Sequence, residues 1–353
     1  MHTTASLRQA SKQTKIQALK SMSLIHTQDQ IFIAGASGMA GSAICRTLQK
    51  CGYHNLLTPK HSELDLTHQP SVNSWMEHYR PDVVVLAAAR VGGIHANHSR
   101  PVNFLLDNLN IQNNVMGAAH LFGTRRLLFL GSSCIYPKYA SQPIQEDSLL
   151  TGKLEPTNES YAIAKIAGIR LADSLRSQFN FDALTVMPTN LYGTGDNYHP
   201  TNSHVLPALL RRFHEAKINQ ASSVTCWGSG WIKREFLHAD DLGDACVFLL
   251  ENWNYHGSHC PKDNAERPLT ILNVGTGKDL TIRELAEKIA HTVGYGGSIE
   301  WDSTKPDGPP KKQLDVEKIH SLGWKAKIPL SQGLQSAYMD FLAQVSSKTL
   351  RSH

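Results

Sequence analysis

The stretch IFIAGASGMAG at residues 31–41 constrains the fold of this 353-residue chain more than any other part of the sequence. Four apolar residues precede Gly35, Gly38 and Gly41, which are spaced as GxxGxxG, and a helical pattern follows. Glycine is needed where the backbone must approach a pyrophosphate, and the N-terminus of the helix then offers free N–H groups to the anion. The stretch predicts a strand–turn–helix unit that binds a dinucleotide. A tight turn without a ligand is the alternative interpretation of the three glycines alone.

Short apolar runs alternate with longer helical patterns from residue 30 to about residue 194. The predicted strands are 30–34, 55–58, 82–88, 126–130 and 182–187, and the predicted helices are 38–51, 71–79, 102–122 and 158–179. The run DVVVLAA at 82–88 is almost continuously apolar, as expected for a strand that is buried on both faces. This order predicts an α/β fold of the Rossmann type, with a doubly wound parallel sheet and ligands beyond the carboxyl ends of its strands.

The pattern changes after residue 194. Helices are predicted at 205–216, 282–293 and 330–344, a short strand at 224–227, and loops at 193–203 and 305–312. The segments 234–252 and 271–274 are predicted to add a strand, a helix and a strand to the main sheet. The resulting regions are a disordered basic extension at 1–28, an NADP-binding Rossmann domain of 29–194 and 236–275, a smaller α/β substrate-binding lobe of 195–235 and 276–345, and a tail at 346–353.

The charge distribution restricts the possible partners. The chain is 41% hydrophobic and 18% charged, and four of its five net positive charges lie in the first 28 residues, as Arg8, Lys12, Lys15 and Lys20. The remainder is close to neutral, so no nucleic-acid partner is predicted. The basic extension is interpreted as a disordered leader, with Met22 as another possible start, or alternatively as a targeting peptide or a nucleic-acid-binding tail.

Apolar runs and cysteines restrict the location of the protein. No apolar run reaches the roughly 18–20 residues that a membrane-spanning helix needs, so no membrane partner is predicted. The six cysteines, at positions 45, 51, 134, 226, 246 and 260, include no CxxC pair and no zinc-like spacing with histidines. Unpaired cysteines in a chain of this length indicate a reducing compartment, and we predict a cytoplasmic protein without a metal site.

The residues after the second predicted strand bear on the choice of cofactor. An NAD site usually carries Asp or Glu about twenty residues beyond the glycine loop, where it holds the ribose 2′-hydroxyl. Here the strand ends in TPKHS at 58–62, with no acid until Glu63. Lys60, His61 and Ser37 are candidates to meet a 2′-phosphate instead, which favours NADP(H). Lys60 as an ordinary solvated surface lysine is the alternative.

A candidate hydride-transfer site is formed by three side chains. Tyr161 and Lys165 belong to YAIAK on a predicted long helix, and their i, i+4 spacing places them on one face. An ammonium next to a phenol makes the ionised phenol less costly, so the pair can give a proton to a carbonyl oxygen and take it back. Ser132 follows the predicted strand 126–130 at the carboxyl edge of the sheet. Its hydroxyl is expected to hydrogen-bond the same carbonyl.

Cys134 is ambiguous from the residues alone. It lies two positions beyond Ser132 in GSSCIYPK, and a free cysteine is more often a small buried hydrophobe than an acid–base group. A thiol has an ordinary pKa near ~8.5, which is within the useful range for general acid–base catalysis. Ser133 and Tyr136 are expected to have structural roles, in the backbone turn and in side-chain packing.

Taken together, the glycine loop, the serine and YxxxK resemble the extended short-chain dehydrogenase/reductases that act on nucleotide sugars. The resemblance is closest to the GDP-L-fucose synthase family and covers about residues 30 to 345. It rests on LAAARVGGI (86–94), LGSSCIYPK (130–138), EPTNESYAIAKIAGI (155–169), VMPTNLYG (186–193), HVLPALLRRFHEA (204–216) and REFLHADD (234–241). The resemblance implies an NADP(H)-dependent 3,5-epimerase and 4-reductase of GDP-4-keto-6-deoxy-mannose. It also implies a homodimer that pairs through the helices near 103–122 and 158–179.

The resemblance also implies roles for individual residues. Ser132, Tyr161 and Lys165 match the reductase residues, Cys134 the epimerisation base, and His204 the acid that works opposite it. The positions that match the cofactor site are Gly35, Ala36, Ser37, Gly38, Met39, Ala40, Gly41, Lys60, His61, Leu86, Ala87, Ala88, Lys165, Pro188, Thr189, Asn190, Leu191 and His204. Those that match contacts to the GDP-sugar are Arg212, Trp227, Arg234, Asn190 and Lys311. The chain departs from the bacterial pattern at Ser37 and His61, where arginines are usual.

Alternative functions remain on the same fold. One is a nucleotide-sugar 4-epimerase or 4,6-dehydratase, although a dehydratase needs an acid–base Glu near the serine and this chain has Ser-Cys-Ile there. Another is a scaffold that binds NADP without catalysis, although Tyr161 and Lys165 are both present. Without the resemblance, Arg212 is equally well a solvated helix residue, Trp227 a core residue and His204 a loop cap.

Overall fold

The computed structural model describes residues 23–200, 202–305 and 307–350. Residues 1–22 of the predicted extension, with Met22, and 351–353 of the predicted tail lie outside the described residues. Residues 23–28 are ordered rather than part of a disordered extension. Ile25 is only 1% exposed and belongs to the main core, and the N–H of Leu24 donates to the carbonyl of Glu251 at 3.0 Å.

The described residues form twelve strands and ten α-helices. The strands are β1 (Ile31–Ala34), β2 (Leu56–Leu57), β3 (Val83–Leu86), β4 (Arg126–Leu130), β5 (Asp182–Pro188), β6 (Asn190–Tyr192), β7 (Ser223–Trp227), β8 (Lys233–His238), β9 (Ile271–Val274), β10 (Asp279–Thr281), β11 (Ser298–Asp302) and β12 (Lys311–Lys312). The helices are α1 (Met39–Lys50), α2 (Gln69–Tyr79), α3 (Ile94–Ser99), α4 (Pro101–Leu121), α5 (Glu159–Phe179), α6 (Val205–Ile218), α7 (Ala239–Asn252), α8 (Ile282–Val293), α9 (Glu317–Ser321) and α10 (Leu330–Ser347).

A six-stranded parallel sheet with the order β2-β1-β3-β4-β5-β9 forms the centre of the larger domain. Every residue of β1, β3, β4 and β9 is buried, which explains why these strands are almost entirely apolar, with Arg126 and Asn273 as the exceptions. Helices α4 and α5 pack against each other, as do α1 and α7. The predicted doubly wound parallel sheet is confirmed. The strand order reverses at β1 and β3, so a ligand crevice is expected at their carboxyl ends.

The smaller lobe has its own sheets and its own core. Strand β8 pairs with β6, β10 and β12, and β7 pairs with β11. A separate cluster of apolar side chains lies between these strands and helices α6, α8 and α10, and it includes Phe213, Leu285 and Phe341. Helix α8 begins with a capping box between Thr281 and Glu284, which satisfies N–H groups of its first turn.

The prediction that β8 extends the main sheet is wrong. The edge beside β5 is filled by β9, whose residues ILNV are all buried, so no place remains there for β8. Strand β8 instead begins with Lys233 and Arg234, which are not buried, and it borders β12 in the smaller lobe. Helix α7, which follows β8, does return to the main domain. Among the described residues, no helix is both long and apolar enough to cross a membrane.

Candidate active site

The glycine loop joins β1 to α1 and packs against the end of β3. Gly35 has a φ of +87°, and a Cβ at this position would lie 2.7 Å from the Cα of Ala88. A Cβ at Gly41 would lie 2.1 Å from the carbonyl oxygen of Gly35, so only glycine allows this close approach. No side chain caps the N-terminus of α1 at Gly38, and its first turn has no acid. The loop, with Leu86 and Ala87 beside it, therefore fits a pyrophosphate.

The loop after β2 fits a 2′-phosphate better than a 2′-hydroxyl. Lys60 and His61 are both exposed there. The carboxylate of Glu63, the nearest acid, accepts the backbone N–H of Lys60 at 2.8 Å and thereby closes the turn. This acid is therefore engaged by the backbone rather than offered to a ribose. The residues present fit NADP(H).

Ser132 connects the predicted carbonyl-binding groups. Strand β4 ends at Leu130, and Ser132 begins a short 3-10 turn over Ser133–Ile135. The Ser132 hydroxyl accepts the N–H of Cys134 at 3.2 Å and also forms a hydrogen bond with the Tyr161 hydroxyl. The structure therefore brings Ser132, Tyr161 and Cys134 together at one edge of the sheet.

Tyr161 and Lys165 occupy one face of α5, as the i, i+4 spacing predicts. The Lys165 ammonium donates to the carbonyl of Leu130 at 2.7 Å and lies 6.0 Å from the centre of the Tyr161 ring. Burial lowers the pKa of Lys165 to about 7. Burial raises the pKa of Tyr161, the nearby Cys134 sulfur raises it further, and the hydrogen bond with Ser132 acts in the opposite direction.

Ser133 and Tyr136 serve the packing, as predicted. Both side chains are buried, and the Tyr136 hydroxyl donates to the side-chain oxygen of Asn273 at 2.6 Å. The 3-10 turn leaves Cys134 between these two anchors, and its thiol is partly exposed and free of any disulfide. Because its neighbours fix the backbone on both sides, the thiol has a defined position close to Ser132.

A lysine that the sequence analysis did not select completes this group. The Lys312 ammonium lies 3.7 Å from the Cys134 sulfur. The side chain of His204 is exposed to solvent. Desolvation by nearby protein nevertheless lowers the pKa of His204, and the charge of Lys312 lowers it further. Lys312 therefore contacts Cys134 and lies near enough to His204 for its charge to act there, whereas the sequence predicted Lys311, as a contact to the GDP-sugar.

Lys311 has another partner. Its ammonium pairs with Asp279 of β10 at 3.3 Å. Side chains alternate along a strand, so the two lysines of β12 face opposite sides. The only sequence signal for Lys312 is the KK pair at the end of KPDGPPKK, and the pairing of β12 with β8 decides which lysine enters the site.

The loop predicted beside the nicotinamide follows β5 and is fixed to β8. The carbonyl of Glu235 accepts the Thr189 hydroxyl at 3.3 Å and the Asn190 side-chain amide at 2.8 Å. Pro188 and Thr189 are buried, whereas Asn190 and Leu191 are partly exposed at the carboxyl edge of the sheet. This arrangement connects the cofactor edge of the main sheet to the smaller lobe.

The predicted contacts to the GDP-sugar fall into two groups. Arg212 donates to the carbonyl of Thr225 at 2.9 Å, and its guanidinium carbon lies 5.9 Å from the centre of the Trp227 ring. Trp227 is 67% exposed, so it is not a core residue. Arg234 donates instead to the carbonyl of Pro309 at 2.7 Å, and burial lowers its pKa while Asp307 counteracts this effect. The structure thus brings Arg212 and Trp227 together and places Arg234 on β8.

A dinucleotide-binding loop beside a Ser–Tyr–Lys group, on a doubly wound sheet, defines a nicotinamide-dependent enzyme of the short-chain dehydrogenase/reductase type. Residues 31–260 match the NAD dependent epimerase/dehydratase family. The chain is 54% identical to the putative GDP-L-fucose synthase 2 of Arabidopsis thaliana, over 92% of this chain and 95% of that protein. It is 51% identical to GDP-L-fucose synthase of Escherichia coli K12, over 90% and 97%. The chain therefore belongs to the NAD dependent epimerase/dehydratase family and, within it, to the GDP-L-fucose synthases.

A solved structure supports the same fold and the same cofactor. The GDP-mannoheptose C4 reductase of Campylobacter jejuni, with NADP bound, superimposes with a TM-score of 0.80 at 35% sequence identity. The match covers 90% of this chain and 99% of that one. The family resemblance predicted from the sequence is confirmed, and NADP(H) is the cofactor.

Proposed function

We propose that this protein converts GDP-4-keto-6-deoxy-D-mannose to GDP-L-fucose, by inverting C3 and C5 and then reducing the C4 carbonyl with NADPH. One observation carries the proposal. Ser132 hydrogen-bonds both the Tyr161 hydroxyl and the backbone of Cys134, so the carbonyl-binding group and a candidate base share one residue. A 4-epimerase or a simple reductase needs no base at this position.

Cys134 and His204 carry the two inversions in this proposal. The hydrogens at C3 and C5 are both α to the C4 carbonyl, so the Cys134 sulfur can remove either as a proton. The electron pair moves to the carbonyl oxygen, where the hydroxyls of Ser132 and Tyr161 stabilise the enolate. A preorganised donor of this kind lowers a barrier by about 3 kcal/mol or more. His204 then returns a proton to the opposite face of the carbon, which inverts it.

The same oxygen is used again in the reduction. NADPH, when bound on the glycine loop, supplies a hydride to C4. Tyr161 donates the proton to the oxygen, and the Lys165 ammonium, 6.0 Å from the tyrosine ring, makes the resulting phenolate less costly. Two reactions therefore use one oxyanion site, which explains why a reductase and an epimerase occupy a single cleft.

The GDP part of the substrate is assigned to the smaller lobe. Arg212 and Arg234 are proposed to bind the diphosphate, because guanidinium groups bind phosphate oxygens in pairs. The exposed ring of Trp227 offers an apolar surface for the guanine or the sugar. The predicted contact of Lys311 stays a prediction, since its ammonium pairs with Asp279.

The quaternary structure and the location are further parts of the proposal. Helices α4 and α5 leave large apolar side chains exposed, among them Leu106, Leu121, Ile163 and Phe179. A homodimer that pairs these helices as a four-helix bundle would bury them. The six cysteines are all free thiols, which suits the reducing cytoplasm.

The proposal is tested with the purified protein, GDP-4-keto-6-deoxy-D-mannose and either NADPH or NADH. We expect the nicotinamide absorbance to fall with NADPH, and one GDP-L-fucose to form for each NADPH consumed. No consumption of either cofactor would rule out the reductase. Consumption with a product that keeps the original configuration at C3 and C5 would leave a reductase without the epimerase.

A further inference from the structure

Lys312 contacts the proposed base, and no step of the proposed mechanism uses it. Its ammonium lies 3.7 Å from the Cys134 sulfur, and its charge also acts on His204. Within the described ranges it forms no ion pair with a carboxylate, whereas Lys311 pairs with Asp279. One cation without a carboxylate partner among the described residues therefore contacts the proposed base and acts electrostatically on the proposed acid.

We propose that Lys312 is a catalytic residue of the epimerisation, whose ammonium stabilises the Cys134 thiolate, and that the buried carboxylate of Glu235 positions it. The inference rests on the proposed function and adds to it the cation that contacts the base. A thiolate, not a thiol, is the base, and a neighbouring positive charge favours its formation. Lys312 supplies that charge at hydrogen-bond distance from the sulfur.

The chemistry balances without any additional reactant. The Cys134 thiolate takes the proton from C3 or C5, so an S–H bond forms as the C–H bond breaks. The electron pair of that bond goes to the carbonyl oxygen. Lys312 remains protonated throughout. It stabilises the sulfur while it is negative, and this stabilisation is lost once the sulfur has accepted the proton.

Glu235 holds the segment that carries Lys312. Its side chain is fully buried, and one carboxylate oxygen accepts the N–H of Gly277 at 2.8 Å while the other accepts the N–H of Leu314 at 2.7 Å. Leu314 is two residues beyond Lys312. In the paired strands Lys312 lies opposite Arg234, the residue before Glu235. The carboxylate therefore holds the segment that directly follows Lys312 against β8.

The negative charge of Glu235 is not paired with a cation among the described residues, and burial raises its pKa. Both of its oxygens must accept a backbone N–H, which a glutamine of the same size cannot do, since its NH₂ group would face an N–H donor. An uncharged residue at this position would cost less free energy to bury. It could not, however, accept the N–H groups of both Gly277 and Leu314.

The direct test replaces Lys312 by Met and by Arg, with Lys325→Met as the matched control because Lys325 is an exposed lysine that follows α9. Two rates are measured on the whole enzyme: incorporation of solvent deuterium into C3 and C5 of the 4-keto sugar, and alkylation of Cys134 by iodoacetamide, followed on its peptide by mass spectrometry. We expect Lys312→Met to lower the exchange about 100-fold and the alkylation about tenfold. Lys312→Arg should recover most of both rates, and Lys325→Met should equal the wild type.

Each result has a distinct meaning. If the wild type is active and Lys312→Met exchanges deuterium within twofold of it, Lys312 is not catalytic and the inference fails while the proposed function stands. If exchange falls but alkylation of Cys134 is unchanged, Lys312 does not act on the sulfur, and this too overturns the inference. If the wild type itself neither exchanges deuterium nor consumes NADPH, the proposed function fails first.

The positioning role of Glu235 is tested by a double-mutant cycle. Glu235→Gln alone should lower deuterium exchange about tenfold, but it should have no further effect in the Lys312→Met background, because both changes remove the same interaction. A purely structural role would lower the exchange by the same factor in both backgrounds. If Glu235→Gln does not fold, Gln313→Ala takes its place, since the Gln313 side chain joins the same segment to the carbonyl of Gly277.

Discussion

The two halves of the site are built in different ways. Ser132, Tyr161 and Lys165 come from β4 and α5, which are adjacent elements of the main domain. Cys134 comes from the same edge, but its partner Lys312 is 178 residues further along the chain, on a two-residue strand of the smaller lobe. In the proposed mechanism the reduction therefore depends on groups held within one domain. The proposed epimerisation depends also on the smaller lobe, so a change in that lobe should affect it more.

The sharpest separation of the two halves is expected from Cys134→Ser. A hydroxyl is a far weaker acid than a thiol, so deuterium exchange at C3 and C5 should fall about 10³-fold. The dissociation constant for NADPH should stay within twofold of the wild type, because Cys134 lies outside the glycine loop. Exchange is followed by NMR and NADPH binding by fluorescence. Unchanged exchange would show that another group is the base.

Tyr161→Phe should have the opposite effect. The loss of one preorganised donor is expected to slow NADPH oxidation about 10²–10³-fold. Exchange should fall less, since the Ser132 hydroxyl still faces the enolate oxygen. The ratio of the two rates, measured on one enzyme preparation, checks the assignment. A larger loss of exchange than of reduction would contradict a proton-donor role for Tyr161 in the reduction.

A smaller effect is expected at the cofactor end of the main domain. Lys60→Ala should raise the KM for NADPH about tenfold and leave the KM for NADH unchanged, because only the 2′-phosphate needs the charge. Lys50→Ala serves as the control, because Lys50 lies at the C-terminal end of α1, away from the glycine loop. Equal changes for both cofactors would mean that Lys60 does not read the 2′-phosphate.

The smallest effect concerns stability and pH. Burial lowers the pKa of Lys165 to about 7, below the ordinary value near ~10.4. Between these two values the unfolded chain binds more protons than the folded one, so the free energy of unfolding contributed by Lys165 rises with pH. Relative to Lys165→Met, the wild type should therefore gain stability from pH 7 to pH 9, measured by urea unfolding. A constant difference would show that the pKa of Lys165 is the same in the folded and the unfolded chain.

The main sheet could be predicted because the apolar residues of each strand directly indicate its burial. Residues such as Val83–Leu86 are buried on both faces, and a continuous apolar run is the direct consequence. The same is true of the glycine loop and of YxxxK, whose spacing is set within one turn or one helix. Ser132, Tyr161 and Lys165 were predicted for that reason.

The smaller lobe could not be predicted as well, because its elements depend on distant partners. Strand β8 was assigned to the main sheet, since its own residues do not reveal that β6 and β12 pair with it. Strand β12 is only two residues long and follows a proline-rich loop, so no periodicity marks it. For the same reason the sequence could not separate Lys312 from Lys311. Only the register of β12 beside β8 directs one toward Cys134 and the other toward Asp279.

The central claim is that one cleft epimerises C3 and C5 and reduces C4. It is tested most directly by a complete turnover in D₂O with unlabelled NADPH, followed by NMR of the product. We predict GDP-L-fucose with deuterium at C3 and C5, from solvent, and hydrogen at C4, from the cofactor. A reduced product with hydrogen at C3 and C5 and the configuration of the substrate would contradict the account.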